Sequence, residues 1–186
     1  MSVDVVFETH SLSVDNERGI ATGWLPGRLS RDGRRLAVEL GDRRREDGIS
    51  VVFTSDLRRA VETAEIAFAG TSIPIYPDAR LRECDYGELN GMPASRLESE
   101  RRLRIDRPFP GGESWIQAVD RVRGFLQGLA ETRDDERVLV IGHVATRWAL
   151  DHFVNGTSLA ELVEAPFAWR EGWIYRLDST ALREHP

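Results

Sequence analysis

The chain has 186 residues, 41% of them apolar, and a formal net charge of −6 at neutral pH. That length suffices for one domain with a buried core that needs neither disulfides nor metals. The negative balance excludes a general nucleic-acid binder, which would show a basic face, and no apolar run approaches the roughly 20 residues that cross a bilayer. The first residues, Met1-Ser2-Val3-Asp4, run straight into a strand-like segment without the basic region and cleavage site of a secretory leader, so a cytoplasmic location is expected. All 25 basic residues are arginines, which codon bias explains better than phosphate chemistry does, and no argument rests on it.

Val3 to Phe7 is a short apolar run suited to a buried parallel strand. A polar stretch with Gly and Pro follows, from Ser11 to Leu29. Ser30 reads as the N-cap of a helix through about Arg45, with Leu36, Val38 and Leu40 among its apolar positions. Ile49 to Phe53 reads as a second strand. Asp56 to Phe68 reads as a helix, with Leu57, Ala60, Val61, Ala64 and Ala67 at helical spacing. Ser72 to Tyr76 is expected as a third strand, and Pro74 places it at a sheet edge. Pro77 to Pro110 reads as loop and insertion, with residues 92–110 as a candidate lid. Gly112 to Thr132 is expected as a helix that turns Trp115, Val119, Val122, Phe125, Leu126 and Leu129 inward. Val138 to Ile141, Ala145 to Phe153 and Gly172 to Leu177 complete the series as strand, helix and strand. Alternating strands and helices imply a single three-layer α/β/α domain over residues 1–186 around a mostly parallel sheet. Ligands of such sheets sit beyond the carboxyl ends of the strands. His10 follows the first strand, Arg59 opens the helix after the second, and His143 follows the fourth, so the three converge on one edge.

Five segments in chain order carry the chemistry: Thr9-His10-Ser11, Thr54 to Ala60, Leu81 to Gly87, Pro110 to Ser114, and Ile141-Gly142-His143. Phosphoryl transfer to a side chain needs a nucleophile, positive groups for the equatorial oxygens and an acid for the leaving oxygen. A neutral imidazole supplies the first. An arginine near a helix N-terminus adds a bidentate clamp to the helix dipole. A carboxyl group beside incoming phosphate has its pKa raised, which suits a general acid. A second histidine, when protonated, stabilises charge on the transferring group. No cofactor or metal is called for. The only cysteine, Cys84, excludes an internal disulfide, and the arginine a thiol phosphatase would carry six positions on is Asn90.

Together these segments resemble the histidine phosphatase superfamily, the phosphoglycerate mutase-like proteins, over roughly residues 4 to 150. Ser55-Asp56-Leu57-x-Arg59-Ala60-x-x-Thr63-Ala64 is the most specific match. The resemblance implies a phosphoglycerate mutase-like fold, with His10 as nucleophile, Asn16 as a phosphate-side donor, Arg59 as phosphate clamp, Glu83 as proton donor and His143 as second phosphate-contacting histidine. Glu113 and Ser114 are expected to cap the helix that follows them. His152 and His185 are expected to be structural or exposed.

The chain departs from the family at three places. Arg-His-Gly-Glu reads Thr9-His10-Ser11-Leu12, the glycine after the second histidine is Val144, and Asp-x-Pro-Leu-Thr reads Pro26-Gly27-Arg28-Leu29-Ser30. Thr9 offers phosphate only a neutral hydrogen bond where the family has an arginine. Arg28 or Arg18 is expected to supply the absent guanidinium, with Arg147 as a third candidate. In residues 95–108, Arg96, Arg101, Arg102, Arg104 and Arg107 form either a cationic lid or a solvated helix. Trp24, Trp169 and Trp173 line a pocket or belong to the core.

The expected function is a metal-independent phosphatase acting on a small phosphorylated metabolite through a phosphohistidine. Two other readings stay open: a catalytically impaired module that binds phosphorylated or anionic ligands, and non-phosphatase chemistry on the same scaffold. A mutase is a weaker expectation, because family members of that kind are longer. The expected partner is a small phosphorylated substrate, with no nucleic acid and no membrane, and a homodimer is left open.

Overall fold

Alternation along the strands decides the layering. In β1 (Ser2–Thr9), Val3, Val5 and Phe7 face one cluster of buried residues while Val6 faces another. The computed structural model describes residues 2–178 and residue 182. After β1 come a short helix α1 (Val14–Glu17), β2 (Ile20–Ala21), α2 (Arg31–Arg44), β3 (Val51–Thr54), α3 (Arg58–Ala67) and β4 (Ile75–Pro77). The second half runs β5 (Met92–Pro93), α4 (Ala94–Glu100), α5 (Trp115–Thr132), β6 (Arg137–Gly142), α6 (Val144–Phe153), α7 (Leu159–Glu164) and β7 (Trp173–Asp178).

The main sheet has the order β4-β3-β6-β1-β7, parallel throughout except for β7, which pairs antiparallel with β1. Helices α2 and α3 cover one face, where Leu40, Ala60 and Ala64 meet Val6, Val52, Leu139 and Ile141. Helices α5 and α6 cover the other, where Trp115, Val122, Leu126 and Leu150 meet Val5, Phe7, Val138 and Val140. The result is the three-layer α/β/α arrangement, with β6 buried on both faces and therefore continuously apolar. No helix among the described residues is long and apolar enough to cross a membrane.

Several elements differ from expectation. The polar stretch from Ser11 to Leu29 contains α1 and β2, because Ser13 and Asn16 form a reciprocal capping box that closes a single turn. The segment from Pro77 to Pro110 is more ordered than a loop: β5 pairs antiparallel with β2, and α4 continues into a 3-10 turn over Arg101–Arg104. Leu97 and Phe109 anchor it in the core. Helix α5 starts at Trp115, with Ser114 rather than Gly112 at its boundary. Helix α7 is an additional element, opened by a capping box between Ser158 and Glu161. Val38 is 44% exposed, on the solvent side of α2, whereas Leu40 is buried.

Strand register levels the site. Thr9 lies opposite Gly142 and Thr54 opposite Ile141, so β1, β3 and β6 end side by side. The His10 backbone N–H donates to the Gly142 carbonyl at 2.9 Å, and that of Ser55 to the Ile141 carbonyl at 3.0 Å. The residues that leave these strands are thereby fixed before their side chains meet.

Candidate active site

His10, Arg59, Glu83 and His143 come together at this edge. The two imidazoles stack obliquely, their ring centroids 5.0 Å apart. Arg59, in the first turn of α3, is 2% exposed and reaches both rings. Its Nε donates to His10 Nε2 at 3.3 Å, and Nη2 lies 3.3 Å from His143 Nδ1. Nη2 also donates to the Gly23 carbonyl at 2.9 Å, and Nη1 to that of Leu25 at 3.4 Å.

These bonds settle the tautomers. A guanidinium has donors only, so His10 Nε2 accepts and its proton sits on Nδ1. That Nδ1–H donates to the Ser11 carbonyl at 2.7 Å. The same logic makes His143 Nδ1 an acceptor and puts its proton on Nε2. His143 Nε2 is buried and has no hydrogen-bond partner among the described residues. Burial first and the Arg59 charge second push the His10 pKa down to about 3. The same two causes hold His143 well below the ordinary imidazole value. Both rings are therefore neutral near pH 7, and His10 presents an unprotonated Nε2.

Glu83, 8% exposed, lies against the start of α6. Its Oε1 accepts from the backbone N–H of Cys84 at 2.9 Å and of Ala145 at 3.1 Å; Oε2 accepts from Val144 at 3.3 Å. Burial raises its pKa, and these three N–H groups together with Arg59 only partly oppose the rise. Desolvation winning over hydrogen bonding marks a carboxyl group suited to carry a proton. Cys84 is buried, and its thiol pKa is raised by that burial and by the neighbouring carboxylates, so it offers no thiolate.

A cavity of about 600 Å³ opens over the site, its wall including Thr9, His10, Asn16, Glu83, Arg101 and His143. Asn16 Oδ1 accepts from the Ser13 backbone N–H at 3.1 Å and from the Ser13 hydroxyl at 2.8 Å. Arg18 and Arg28 are exposed, and neither lines this cavity. Arg18 closes α1 and Arg28 lies in the loop before α2, both exposed, so the expected replacement of the missing arginine by either is not what the structure presents. Arg147 is committed to Asp151 at 3.1 Å and to the face of Trp173. Trp169 lines the cavity and is 58% exposed, whereas Trp173 is buried core; Trp24 donates from Nε1 to the Glu83 carbonyl at 2.6 Å.

Ser114 caps α5 as expected, but Glu113 does not. Its carboxylate pairs with Arg121 at 2.7 Å and accepts from the Asp85 N–H, tying the Glu83 loop to α5. His152 sits beside Phe153, away from the cavity, and His185 lies outside the described residues. Sequence reasoning missed the carbonyls of Ser11, Gly23 and Leu25, because backbone acceptors leave no residue-type signature. Thr63 did have a signal in its motif: its hydroxyl donates to the Arg59 carbonyl at 2.7 Å and accepts from the Ser11 N–H at 2.9 Å.

Fold and site together define a class: a three-layer α/β protein whose two histidines, buried arginine and buried glutamate meet at the carboxyl edge of a parallel sheet. The chain belongs to the histidine phosphatase superfamily (branch 1), whose pattern matches residues 7–178. It is 31% identical over 128 residues to the uncharacterized phosphatase PhoE of Bacillus subtilis strain 168, spanning 69% of this chain and 65% of that protein. It is 35% identical over 123 residues to the probable phosphoglycerate mutase GpmB of Salmonella paratyphi B, spanning 62% of this chain and 57% of that protein. The chain thus covers less than two thirds of the length of these relatives. Among solved structures, Bacillus stearothermophilus YhfR superposes with a TM-score of 0.81 at 26% identity, over 92% of this chain and 90% of that one. Family and fold are those the sequence motifs imply.

Proposed function

We propose that this chain is a phosphatase that hydrolyses a small phosphomonoester through a phosphohistidine at His10. The observation that carries the reading is the unprotonated His10 Nε2, held toward Arg59 by a proton fixed on Nδ1, in one cavity with buried Glu83 and His143.

In the first step His10 Nε2 attacks phosphorus. The N–P bond forms, the P–O bond to the leaving group breaks, and the Glu83 carboxyl proton passes to the leaving oxygen. Positive charge on the phosphorylated ring is met by the Ser11 carbonyl at Nδ1. Arg59 and the Nε2–H of His143 donate to the transferring oxygens, and Asn16 Nδ2 donates from the cavity rim. In the second step water attacks phosphorus, the N–P bond breaks, and the water proton returns to the Glu83 carboxylate. No metal enters either step.

Thr9 favours a second reading, a binding module for phosphorylated ligands, because the guanidinium that would stand there is replaced by a neutral hydroxyl. A mutase would share the first step and differ in passing the phosphoryl group to a second substrate hydroxyl instead of water. The test is phosphate release from a panel of phosphomonoesters, phosphoglycerate among them, with wild type and His10→Ala purified in parallel. Turnover abolished in the variant is expected. Wild type no faster than the variant on every ester would sink the phosphatase reading and leave the binding one.

A further inference from the structure

Phosphate reaches this site as a dianion, yet the residues in contact with the two imidazoles include one formal cation, Arg59. Charge balance calls for another. Two further arginines line the cavity, and they differ in what they already hold. Arg43 stands 3.7 Å from the Glu8 carboxylate and 4.0 Å from that of Glu171, so its charge is spent within the protein. Arg101 has no carboxylate partner among the described residues. Its guanidinium stacks over Trp148 with 5.8 Å to the ring centroid, and its Nε is buried without a hydrogen-bond partner. Two other arginines of the same segment are paired: Arg102 with Glu164, and Arg104 with Glu100 at 2.7 Å. Arg101 is also electrostatically joined to the site, since buried Tyr86 feels Glu83, Arg101 and Arg59 together.

We propose that Arg101 is the second cation of the phosphate site, supplied from the 92–110 segment in place of the arginine that Thr9 displaced. The inference rests on the phosphate-handling reading of His10. The ligand class is a phosphoryl dianion, and the recognised group is the phosphate itself rather than a second anionic group on the substrate. The contact with Trp148 and the burial of Nε leave the guanidinium partly desolvated at the cavity wall, which strengthens a charge-assisted bond to an incoming oxygen.

The test reads binding of inorganic phosphate by calorimetry, separately from turnover, for wild type, Arg101→Gln, Arg101→Lys and Arg102→Gln. Loss of a charge-assisted bond predicts a Kd about 10- to 150-fold weaker for Arg101→Gln. Arg102→Gln, on the outer side of the same turn, should bind as wild type does, and Arg101→Lys should recover most of the affinity. Equal affinity in wild type and Arg101→Gln overturns the proposal, as does a wild type that binds no phosphate. Equal loss in the Gln and Lys variants also overturns it, because the cause would then be packing on Trp148. A result in which phosphate binding depends on Arg101 while no ester turns over would refute the phosphatase reading and leave this one standing.

Discussion

Glu83→Gln tests the division of labour most sharply, because it removes a proton at almost constant volume. Three backbone N–H groups converge on the carboxyl group, two on Oε1 and one on Oε2. A glutamine keeps the pair on its oxygen and sets its amide against the N–H of Val144. One buried donor is then unpaired, at a cost of about 1–3 kcal/mol. For a chain of this size that lowers Tm by about 2–12 °C. The chemical effect is separable from this loss by leaving group. General acid catalysis contributes roughly 10²- to 10⁴-fold, and it matters only where the leaving oxygen needs a proton. Burst-phase rates of the first step should therefore fall by about 10²–10⁴ on an alkyl phosphate. On 4-nitrophenyl phosphate, whose leaving group departs as a stabilised anion, they should fall less than about tenfold. Dephosphorylation also loses its base, so the variant should release nitrophenolate stoichiometric with enzyme before stalling. An unchanged ratio of alkyl to aryl rates would refute the assignment of Glu83 as proton donor, whatever the total activity.

Stability should depend on pH in a direction set by His10. The folded protein holds it neutral down to about 3, against 6.5 for the free group. Between those values the unfolded chain binds a proton that the native chain refuses, so stability falls as the pH drops through that window. At 1.36 kcal/mol per pH unit the contribution is on the order of 5 kcal/mol over the whole window. His143 acts in the same direction; the raised pKa of Glu83 opposes both, lowering stability as pH rises from 4.5 through its folded value. Thermal melts of wild type and His10→Gln across pH 7 to 4 check this, and parallel slopes would contradict it. Arg59→Lys keeps the charge but cannot span two imidazoles and two carbonyls, so kcat/KM should fall about 10- to 200-fold while phosphate-independent folding persists. Recovery of full activity in that variant would show that point charge, not the fork, is what the site uses.

What the sequence could reveal followed from local periodicity and from side chains whose chemistry is distinctive. Strand alternation and the helical spacing of Leu57, Ala60, Ala64 and Ala67 placed the layers, and the residues leaving β1 and β6 located the histidines. Ser30 and Ser114 announced their helices because a hydroxyl N-cap is a local signal. Short elements escaped for a physical reason. Helix α1 is one turn closed by a capping box, and β2 with β5 form a two-residue pair that no periodicity can register. Arg18 and Arg28 are near His10 in sequence, whereas proximity in this fold is set by the sheet edge. Segment 92–110 reaches that edge through the β2–β5 pairing, a contact between residues about 70 positions apart, and its arginines read alike until the structure shows which faces the cavity.

The buried charges explain why the site is poised rather than merely assembled. Arg59 has no direct carboxylate partner among the described residues, and burial lowers its pKa. Backbone carbonyls of Gly23 and Leu25 satisfy its geometry but not its charge. Burial first and the Arg59 field second lower both imidazole pKa values, while burial raises that of Glu83 against its three N–H partners and Arg59. Desolvation is thus the leading cause at all three groups, and Arg59 reinforces it at the histidines and opposes it at Glu83. Under the proposed mechanism a phosphate dianion would pair Arg59, favour protonation of His143 and raise the Glu83 pKa further. An anion that binds the folded site and not the unfolded chain stabilises the fold by an amount set by its concentration and affinity.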